Sequence, residues 1–559
     1  MLSIIPLPVV VRLGDAAPFQ LPEHLLLLDP APELRPLADQ FIANVAAERS
    51  LEVTITSEPA HITPVIRLDL VASDHDLLGL PATSGKRADA GDPDGERYAL
   101  DIDAGGILVR AATPEGIFRG LTTLRQILVT SGPREIPAVT VRDTPRFAWR
   151  GFSFDICRTF FDAGDIKRII DVLALYKFNV LHLHLTDSEG WRIDIPAWPK
   201  LTEIGSNTGA YGRPGGFLTQ EHYRDLVRYA AARFITIVPE IDMPGHTGAI
   251  FRAYPDLAGD GTNTPDTSGQ PAMLQYLHPG HPQVLPFVTD VLSDIAALTP
   301  GACLHIGGDE AWGMPDELYA TFMNEVRPIV GNLGKKVVAW QEASRAGLSE
   351  GDIAQFWLQF DPSQLEQLAT SGIPEDMELP DGTRLTPEMM QGMTSMLEKA
   401  NGDPGRISHS GADVLMSISS RNYLDTPYAE PPADSAQQPE WDRLGMPFYP
   451  KTTIEAFYDW DPATVHEALP EERIAGVEAA IWCETVGNFD DLCFLLLPRL
   501  AGSGERSWSP RLAGSGERGW SPRGTNDWNG YRQRLAAQPV FWNAQNLNYF
   551  KSSLVDWKR

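Results

Sequence analysis

The 559-residue sequence predicts an α/β protein in which a (β/α)8 TIM barrel follows a small α+β domain. The length suits two domains, one of them large. From Trp149 onward, apolar strand-like runs alternate with helical periodicity, which is the pattern of parallel βαβ units. Eight such runs occur, and eight is the strand count of this barrel. A doubly wound sheet is the rival architecture, and it would bind a ligand at its switch point.

The small α+β domain is predicted over residues 1–145. Its strand candidates show period-two alternation. They are Leu51–Thr56, Val65–Val71, Tyr98–Ile102 and Ile107–Ala111. A helix is expected at Pro114–Leu128, because proline suits the first helical turn. The acidic, glycine-rich segment Ala88–Glu96 is expected to be a loop, and Ile136–Arg146 leads into the second domain.

The barrel is predicted over residues 146–559. Segments with helical periodicity lie between most of its strand candidates. An example is Asp165–Tyr176, in which apolar residues recur at helical spacing: Ile166, Ile169, Ile170 and Leu173. The strand candidates are Gly151–Ile156, Val180–Leu185, Ile235–Val238, Ala302–Ile306, Lys336–Ala339, Ala354–Trp357, Val414–Ile418 and Val477–Ile481.

Two segments depart from a regular barrel. The spacer Gln359–Ser410 is long, polar and Met-rich, and it is read as an inserted lobe with a helix at Thr386–Ala400. Near the end, RLAGSGERSWSP (Arg499–Pro510) is followed at once by RLAGSGERGWSP (Arg511–Pro522). This duplication over 499–522 is too short for a solenoid, so one copy is expected to belong to the fold and the other to be accommodated as a loop.

Composition narrows the classes of function. The formal net charge of −28 argues against a nucleic-acid or anionic-membrane partner. The four cysteines show no metal-binding spacing and are expected to be reduced core thiols. The opening MLSIIPLPVVVRL lacks the basic region and cleavage site of a signal peptide, so it is read as a strand and the protein as cytoplasmic.

In a barrel of this kind the chemistry lies just beyond the C-terminal ends of the strands. Carboxylates, an arginine and aromatic rings follow the strand candidates and are predicted to converge on one mouth. In strand order they are Arg158; Asp187, Glu189 and Arg192; Glu240, Asp242 and His246; Asp309 and Glu310; Trp340; Trp357; Tyr423 and Asp425; and Trp482 and Glu484. Charged groups that bind hydroxyls beside rings that cover an apolar face indicate a sugar site.

The run HIGGDEA at His305–Ala311 is the most informative of these segments. Its glycines let the backbone turn sharply and approach a ligand closely. Asp309 and Glu310 then follow in series. Glycoside cleavage needs a general acid and a negative partner near the anomeric carbon, and a retaining nucleophile usually projects from another strand. Adjacent acids fit better an arrangement in which one holds a group on the substrate and the other protonates the leaving oxygen.

The pair His182 and His184 in LHLHL offers a different chemistry. Both side chains lie on one face of a strand, and such a pair can bind zinc in an amidohydrolase. We prefer two interior histidines that are satisfied by neighbouring carboxylates, because no metal-bridging lysine follows the fourth strand candidate. No metal or other cofactor is therefore expected.

Several segments, in order and over nearly the whole chain, resemble glycoside hydrolase family 20, the β-N-acetylhexosaminidases. The matching text is RGFSFDICRTFFD, LHLHLTDSEGWRIDI, VPEIDMPGHTGA, HIGGDEA, VAWQEA, RNYLD and GVEAAIWCET. The resemblance implies an exo-acting retaining enzyme that removes terminal non-reducing N-acetylglucosamine or N-acetylgalactosamine. The 2-acetamido group of the substrate would act as the nucleophile and form an oxazolinium-type intermediate.

The resemblance also implies a role for each site residue. Glu310 is the general acid/base, and Asp309 orients the acetamido group and stabilises its charge. Tyr423 donates its hydroxyl to the acetamido oxygen. The cage around the sugar is Trp340, Trp357 and Trp482; the ligands of the sugar hydroxyls are Arg158, Asp425 and Glu484; and the network that supports Glu310 is Asp187 and His246. These roles require Glu310 protonated and Asp309 ionised, so the two acids should have different surroundings.

Some residues depart from the family pattern, and some alternatives stay open. Thr159 stands where a histidine is common, and Gln341 replaces an acid or asparagine. One alternative is a glycosidase for unsubstituted sugars with Glu240 as its nucleophile. The others are the zinc amidohydrolase and an inactive carbohydrate-binding protein. The oligomeric state is not indicated.

Overall fold

A computed structural model describes residues 2–57, 65–72, 77, 79–132, 134–259, 274–359, 387–509 and 527–558. The N-terminal part forms a seven-stranded mixed sheet in the order β1-β9-β6-β7-β5-β3-β4, with the pair β2-β8 beside it. The strands are β1 (Val10–Leu13), β2 (Phe19–Gln20), β3 (His24–Leu28), β4 (Glu52–Thr56), β5 (Val65–Leu70), β6 (Tyr98–Asp103), β7 (Gly106–Ala111), β8 (Glu135–Ile136) and β9 (Val139–Asp143).

Two long helices, α1 (Arg35–Arg49) and α2 (Pro114–Thr130), accompany this sheet. Helix α2 begins where the sequence predicted, with Pro114 in its first turn and the Thr113 side chain accepting from the Gly116 N–H. Its middle is buried on nearly every side, because it contacts both the sheet and the second domain. The predicted α+β character and all four strand candidates of this part are confirmed.

The second part is a closed eight-stranded parallel barrel, as predicted. Strand β10 pairs with β17 from Trp149↔Gly476 to Phe154↔Ile481 and closes the ring. The strands are β10 (Trp149–Asp155), β11 (Val180–His184), β12 (Thr236–Glu240), β13 (Cys303–His305), β14 (Lys336–Trp340), β15 (Ile353–Phe356), β16 (Asp413–Met416) and β17 (Ile474–Ile481). The doubly wound alternative was wrong, since closure leaves no switch point.

Helices surround the barrel and connect its strands. In chain order they are α3 (Ala163–Leu175), α4 (Lys200–Glu203), α5 (Gln220–Ala231), α6 (Gly248–Ala253), α7 (Val284–Leu298), α8 (Asp316–Asn332), α9 (Pro387–Ala400), α10 (Asp403–Ser410), α11 (Ser419–Asn422), α12 (Gln438–Arg443), α13 (Ile454–Tyr458), α14 (Phe489–Leu496), α15 (Arg499–Trp508), α16 (Trp528–Leu535) and α17 (Pro539–Ala544). Helix α3 follows an N-cap in which Asp162 accepts from the N–H groups of Gly164 and Asp165.

Within the barrel, an apolar layer lies below a charged one. The lower layer is a cluster of buried residues to which all eight strands contribute: Ala88, Trp149, Val180, Val238, Cys303, Val338, Ile353, Leu415 and Ala475. Two residues further along their strands, His182, Glu240 and His305 point the same way, because side chains alternate along a strand. A buried layer of ionisable groups therefore lies inside the barrel directly below its mouth.

A buried ion cluster joins the two parts. Glu96, fully buried, accepts from Arg119 Nε at 2.8 Å and from Arg87 Nη1 at 3.1 Å, and it also pairs with Arg150 of β10. Burial opposes ionisation of Glu96, but the three guanidinium groups lower its pKa below the usual value. The predicted loop Ala88–Glu96 is irregular up to Asp92, but its last four residues, Pro93–Glu96, form a short 3-10 helix that ends in this interior contact.

Both predicted irregular segments are described in part. A helix lies at Pro387–Ala400, as predicted, while residues 360–386 lie outside the described part. The first copy of the duplication forms α15, whose Trp508 is fully buried, and the second copy, 511–522, also lies outside. The expectation that one copy belongs to the fold is thus confirmed for the first. Among the described helices, none combines the length and apolarity that a membrane crossing requires.

Candidate active site

Adjacent acids follow β13 at the mouth of the barrel. Gly307 makes the turn at φ +66°, and a Cβ there would lie 1.6 Å from Asp242 Oδ1, so only glycine fits. Asp309 and Glu310 come next, and Glu310 has φ +45°. A left-handed backbone at a residue that is not glycine costs about 1–2 kcal/mol. The fold holds Glu310 in this conformation, as is common at functional sites.

One imidazole lies beside both acids. His246 Nε2 is 3.6 Å from Asp309 Oδ2 and 3.8 Å from Glu310 Oε2. The other ring nitrogen, Nδ1, lies 3.1 Å from Asp187 Oδ1. Burial opposes a charged ring, but Asp187, Asp242 and Asp309 raise the pKa of His246 well above its usual value. The ring is therefore a cation shared by the acid pair.

The electrostatic surroundings of the pair differ from the expectation. Burial raises the pKa of Glu310, as a general acid requires, and Asp187 adds to this effect. His246 and Arg158 oppose it. Burial also raises the pKa of Asp309 well above its usual value, and Asp242 adds to the effect. The ionised form of Asp309, which its predicted role needs when a positive charge develops beside it, is therefore disfavoured in the empty site. His246 is too weak a counter-ion against the surrounding carboxylates.

Arg158 and Asp187 support this arrangement from the first two strands. Arg158 Nη2 lies 2.8 Å from Asp187 Oδ2, and its Nε lies 3.2 Å from Glu189 and 3.9 Å from Glu484. Burial opposes ionisation of Asp187, but Arg158 and His246 hold its pKa well below the usual value. Asp187 thus remains an anion that orients His246.

Four aromatic rings form a box beside the acids. Trp340 lies 6.3 Å from Trp357 and 5.9 Å from Trp482, measured between ring centroids. Tyr423 stacks on Trp357 at 6.2 Å with an interplanar angle of 3° and meets Trp482 at 5.9 Å. Burial, Tyr449 and Asp309 raise the pKa of Tyr423 well above its usual value, so Asp309 lies near this ring. The structure brings together all four predicted aromatic residues.

The remaining predicted ligands, Arg158, Asp425 and Glu484, lie around Trp482. Asp425 is fully buried, and burial, with Glu484 nearby, raises its pKa well above the usual value. The guanidinium of Arg158 lies 5.3 Å from the Trp482 ring. Within the described part of the chain, Asp309 Oδ1, Arg158 Nη1 and Glu484 Oε2 are buried without a hydrogen-bond partner. Such atoms are the ones that a polar ligand satisfies.

Glu240 does not lie at the mouth, although the sequence placed it after the third strand. It is the last residue of β12 and is fully buried. Its oxygens lie 3.0 Å from His182 Nε2, 2.5 Å from His184 Nδ1 and 3.0 Å from His305 Nδ1. Trp340 Nε1 donates to it at 2.9 Å. A carboxylate covered in this way cannot reach an anomeric carbon, so the assignment of Glu240 as nucleophile was wrong.

His182 and His184 pair with carboxylates, as preferred. His182 Nδ1 lies 2.8 Å from Glu478 Oε1, and His184 Nε2 lies 2.8 Å from Asp187 Oδ2. Each ring nitrogen of both histidines therefore faces an acid oxygen at hydrogen-bond distance. Three of these four ring nitrogens are hydrogen-bonded to the carboxylates, and His182 Nε2 contacts Glu240 without hydrogen-bond geometry.

Comparison with known proteins agrees with this geometry. The profile of the glycosyl hydrolase family 20 catalytic domain matches residues 147–375 and 392–511, and that of the family's domain 2 matches residues 1–144. The chain belongs to glycosyl hydrolase family 20. It is 35% identical to a β-N-acetylhexosaminidase of Cellulomonas fimi over 99% of this chain and 97% of that protein.

Solved structures of the family show the same architecture. A β-N-acetylhexosaminidase from Streptomyces coelicolor A3(2) superposes with a TM-score of 0.78 and 32% identity, covering 100% of this chain and 99% of that one. An N-acetyl-β-hexosaminidase from Streptomyces plicatus gives 0.77 and 32% identity, covering 100% and 98%. The protein is therefore a glycoside hydrolase of the hexosaminidase family. Of the predicted insertion 359–410, the catalytic-domain profile passes over residues 376–391 alone.

Sequence reasoning missed two residues of this family 20 site. Glu342 is buried, accepts from Trp357 Nε1 at 3.2 Å and has its pKa raised by burial to about 7. Tyr449 packs 6.1 Å from Tyr423, and its pKa is raised by burial and by Asp425 and Glu310. Glu342 lies within the VAWQEA segment, but no strand precedes Tyr449 directly, so only the tertiary fold places it here.

The two departures from the family pattern have structural roles. Gln341 is fully buried, and its Oε1 accepts from the backbone N–H groups of Trp357 and Leu358 at 3.0 and 2.8 Å. An amide there fixes the backbone that carries one wall of the box. Thr159 donates to the Val486 carbonyl at 2.6 Å and accepts from Arg213 Nη1 at 2.8 Å.

Helix α9 closes the site on one side. Met396, Leu397 and Ala400 cluster with Trp340, Trp357 and Tyr423. A cavity of about 320 Å³ lies between this helix and the segment after β13, and Glu310, Trp312 and Glu342 are among its lining residues. The helix that sequence analysis predicted in the long spacer is thus in direct contact with the aromatic box.

Proposed function

We propose that the protein is an exo-acting retaining β-N-acetylhexosaminidase, which removes terminal non-reducing N-acetylglucosamine or N-acetylgalactosamine by substrate-assisted catalysis. One observation carries the proposal. Two adjacent acids, Asp309 and Glu310, both lie beside His246 and next to the aromatic box. Glu240, the alternative nucleophile on the protein, is fully buried inside the barrel. The nucleophile is then supplied by the substrate.

In the first step the acetamido carbonyl oxygen attacks the anomeric carbon while the bond from this carbon to the leaving oxygen breaks. Glu310 gives its proton to that oxygen, and the leaving sugar departs as an alcohol. Because the attacking atom is part of the substrate, the step is intramolecular and has a high effective molarity. Tyr423 and the box rings hold the acetamido group against the anomeric carbon.

Asp309 stabilises the charge that this step creates. The oxazolinium-type intermediate is positive over its N–C–O atoms, and Asp309 accepts a hydrogen bond from its N–H. In the empty site the Asp309 carboxyl has a raised pKa and one unpartnered oxygen. The substrate N–H supplies the missing donor and shifts Asp309 towards its ionised form. Stabilisation in a water-poor site costs no reorganisation when the charge appears.

In the second step water attacks the anomeric carbon and opens the oxazolinium ring. Glu310, now ionised, takes a proton from this water and returns to its acid form. Two successive inversions at the anomeric carbon give net retention. His246 and Asp187 keep a cation beside Glu310 in both steps.

Exo action rests on the closed end of the site. Arg158, Asp425 and Glu484 are the groups that bind the hydroxyls of the terminal sugar, and they lie in the buried cluster around Trp482. A chain that continued beyond this sugar would have to displace the ion pair between Arg158 and Asp187. The site therefore accepts one terminal residue, and the mechanism needs no cofactor.

The proposal is tested with two 4-nitrophenyl glycosides, the β-N-acetylglucosaminide and the β-glucoside. We expect hydrolysis of the first and at least about 10³-fold slower hydrolysis of the second, as the loss of an intramolecular nucleophile requires. Azide should partly restore turnover of the first substrate by Glu310→Ala, because azide needs no general base. Equal rates on both glycosides would refute substrate assistance, and failure of azide rescue would refute the role of Glu310.

A further inference from the structure

A continuous series of carboxylates and imidazoles runs from the barrel interior to the catalytic pair. Glu478 Oε1 lies 2.8 Å from His182 Nδ1, and His182 Nε2 lies 3.0 Å from Glu240 Oε2. The same Glu240 oxygen lies 2.5 Å from His184 Nδ1. His184 Nε2 lies 2.8 Å from Asp187 Oδ2, which leads to His246 and the catalytic pair.

The barrel reserves space for this series. The side chains from Glu478 to Asp187 are all 0–1% exposed. A Cβ on Gly151 of β10 would lie 2.0 Å from Glu478 Oε2, so glycine at this position leaves room for the carboxylate. Trp149 Nε1 and Gln355 Nε2 donate to Glu478 at 2.9 and 3.0 Å. Burial of ionisable groups without such partners costs several kcal/mol per ion.

Both histidines of the series lie between two carboxylates, but of the two only His184 contacts Asp187. Both of its ring nitrogens face carboxylate oxygens, and a carboxylate can only accept. A neutral imidazole has one N–H, so both contacts are hydrogen bonds only when the ring is an imidazolium. The positively charged ring then contacts Asp187 Oδ2, which Arg158 Nη2 also contacts at 2.8 Å. Asp187 Oδ1 stays available for His246.

We propose that His184, held between Glu240 and Asp187, is a positioning residue that fixes the charge of Asp187 and the ring of His246 and thereby sets the protonation of Glu310. This inference rests on the proposed function of Glu310. The catalytic acid is controlled from the barrel interior and not only from the mouth. Burial opposes the charge on His184, but Glu240 and Asp187 raise its pKa well above the usual value, which agrees with the hydrogen-bond geometry.

The other ionisable groups around His184 are mostly uncharged or already paired. Ligand atoms of Asp155, Cys157 and Asp242 lie within 4.8 Å of its ring nitrogens in shared clusters. Burial raises the pKa of the Cys157 thiol well above its usual value and that of Asp242 to about 7. Asp155 accepts from the N–H groups of Cys157, Arg158 and Cys483. The Trp482 ring meets His184 edge-on at 5.2 Å.

The test is the pH dependence of kcat/KM on N,N′-diacetylchitobiose for His184→Gln, with His182→Gln as the matched control. His182 lies two residues earlier on the same face of β11, is equally buried and contacts Glu240, but Asp187 is not among its partners. Without the His184 cation, the negative charge of Asp187 is compensated less. If Asp187 instead takes a proton, His246 loses its charge. Both outcomes favour protonated Glu310.

We expect the basic limb to move up by roughly half to one pH unit in His184→Gln and by less than about 0.2 unit in His182→Gln. An unmoved or lowered limb, or equal shifts in the two variants, would overturn the proposal. In the unmutated protein, imidazole ¹⁵N shifts should show His184 doubly protonated at pH 7, and a neutral ring would overturn it without any variant. Glu310→Gln separates the two hypotheses, because a basic limb that survives in this variant contradicts the proposed function itself.

Discussion

Asp309→Asn removes the charge that the proposed mechanism places beside the oxazolinium ion and keeps the shape of the side chain. The acceptor oxygen lies about 3 Å from the substrate nitrogen, so the centre of the delocalised positive charge is about 4 Å from the carboxylate. At an effective dielectric constant of about 20, two unit charges at this distance attract by about 4 kcal/mol. Asparagine keeps a hydrogen bond, so we expect kcat to fall by about 10²- to 10³-fold.

Stability should move the other way. Asp309 is 8% exposed and has Asp242 and Glu342 as neighbouring acids that raise its pKa. The asparagine relieves this repulsion, so the melting temperature should stay the same or rise. Asp316→Asn is the matched control, because Asp316 begins α8 a few residues later with a side chain that is 70% exposed. It should keep full activity.

The assay compares kcat for N-acetylglucosaminides with good and poor leaving groups. Asp309 acts on the acetamido group, so its loss should slow all of them by a similar factor, whereas Glu310→Gln should slow the poor leaving groups most. A fall of less than tenfold in Asp309→Asn would refute the electrostatic role. A dependence on the leaving group as steep as that of Glu310→Gln would show that Asp309 serves proton transfer instead.

Three further predictions follow from contacts in the structure. Since the raised pKa of Asp309 belongs to the empty site and the substrate N–H lowers it, the acid limb of kcat/KM should lie at higher pH than that of kcat, and coincident limbs would contradict this. Tyr423→Phe keeps the stack on Trp357 but loses the hydroxyl, so kcat should fall about 10- to 100-fold with an unchanged melting temperature. Trp508→Ala should lower the free energy of unfolding by about 3–5 kcal/mol in urea, because Trp508 is fully buried and donates to Asp143 at 3.0 Å; a loss below about 1 kcal/mol would mean that the first copy of the duplication is not part of the core.

The sequence predicts most of the barrel because its strands are buried on both faces. Every residue of Val180–His184 and Ile474–Ile481 is buried, and apart from His182, His184 and Glu478 these runs are apolar or small; the helices between the strands show clear periodicity. Strand β3 and helix α1 of the first domain were not predicted, whereas β1 lies in the opening run that was read as a strand. Helix α1 begins without a side-chain N-cap, and its apolar periodicity is weak, so local sequence gives little signal there.

The sequence predicts those site residues that directly follow a strand. The prediction fails for Glu240, because it depends on the residue at which the strand ends. Trp340, Asp309, Glu310 and Trp482 lie at the mouth as expected. Glu240 was expected beyond the strand end, because the strand was predicted to end at Val238, two residues before its actual end. The Glu240 side chain therefore lies inside the barrel on the same face as Val238. Tyr449 comes from a long connection that only tertiary packing brings to the site.

The charge states are the part that sequence reasoning could least determine. Asp309 and Glu310 are neighbours in sequence, but their pKa values depend on Asp242 and His246 from the connection after β12 and on Glu342 from the connection after β14. Nothing local to HIGGDEA indicates that both pKa values rise. Under the proposed mechanism, the N–H of the bound acetamido group lowers the pKa of Asp309 again.

The most direct measurement of the central claim varies the nucleophile on the substrate. A series of 4-nitrophenyl β-glucosaminides carrying N-acetyl, N-fluoroacetyl, N-difluoroacetyl and N-trifluoroacetyl groups makes the amide oxygen progressively less nucleophilic while the leaving group stays constant. If this oxygen attacks the anomeric carbon, log kcat/KM falls steeply and monotonically along the series. A flat series would mean that an enzyme side chain attacks instead.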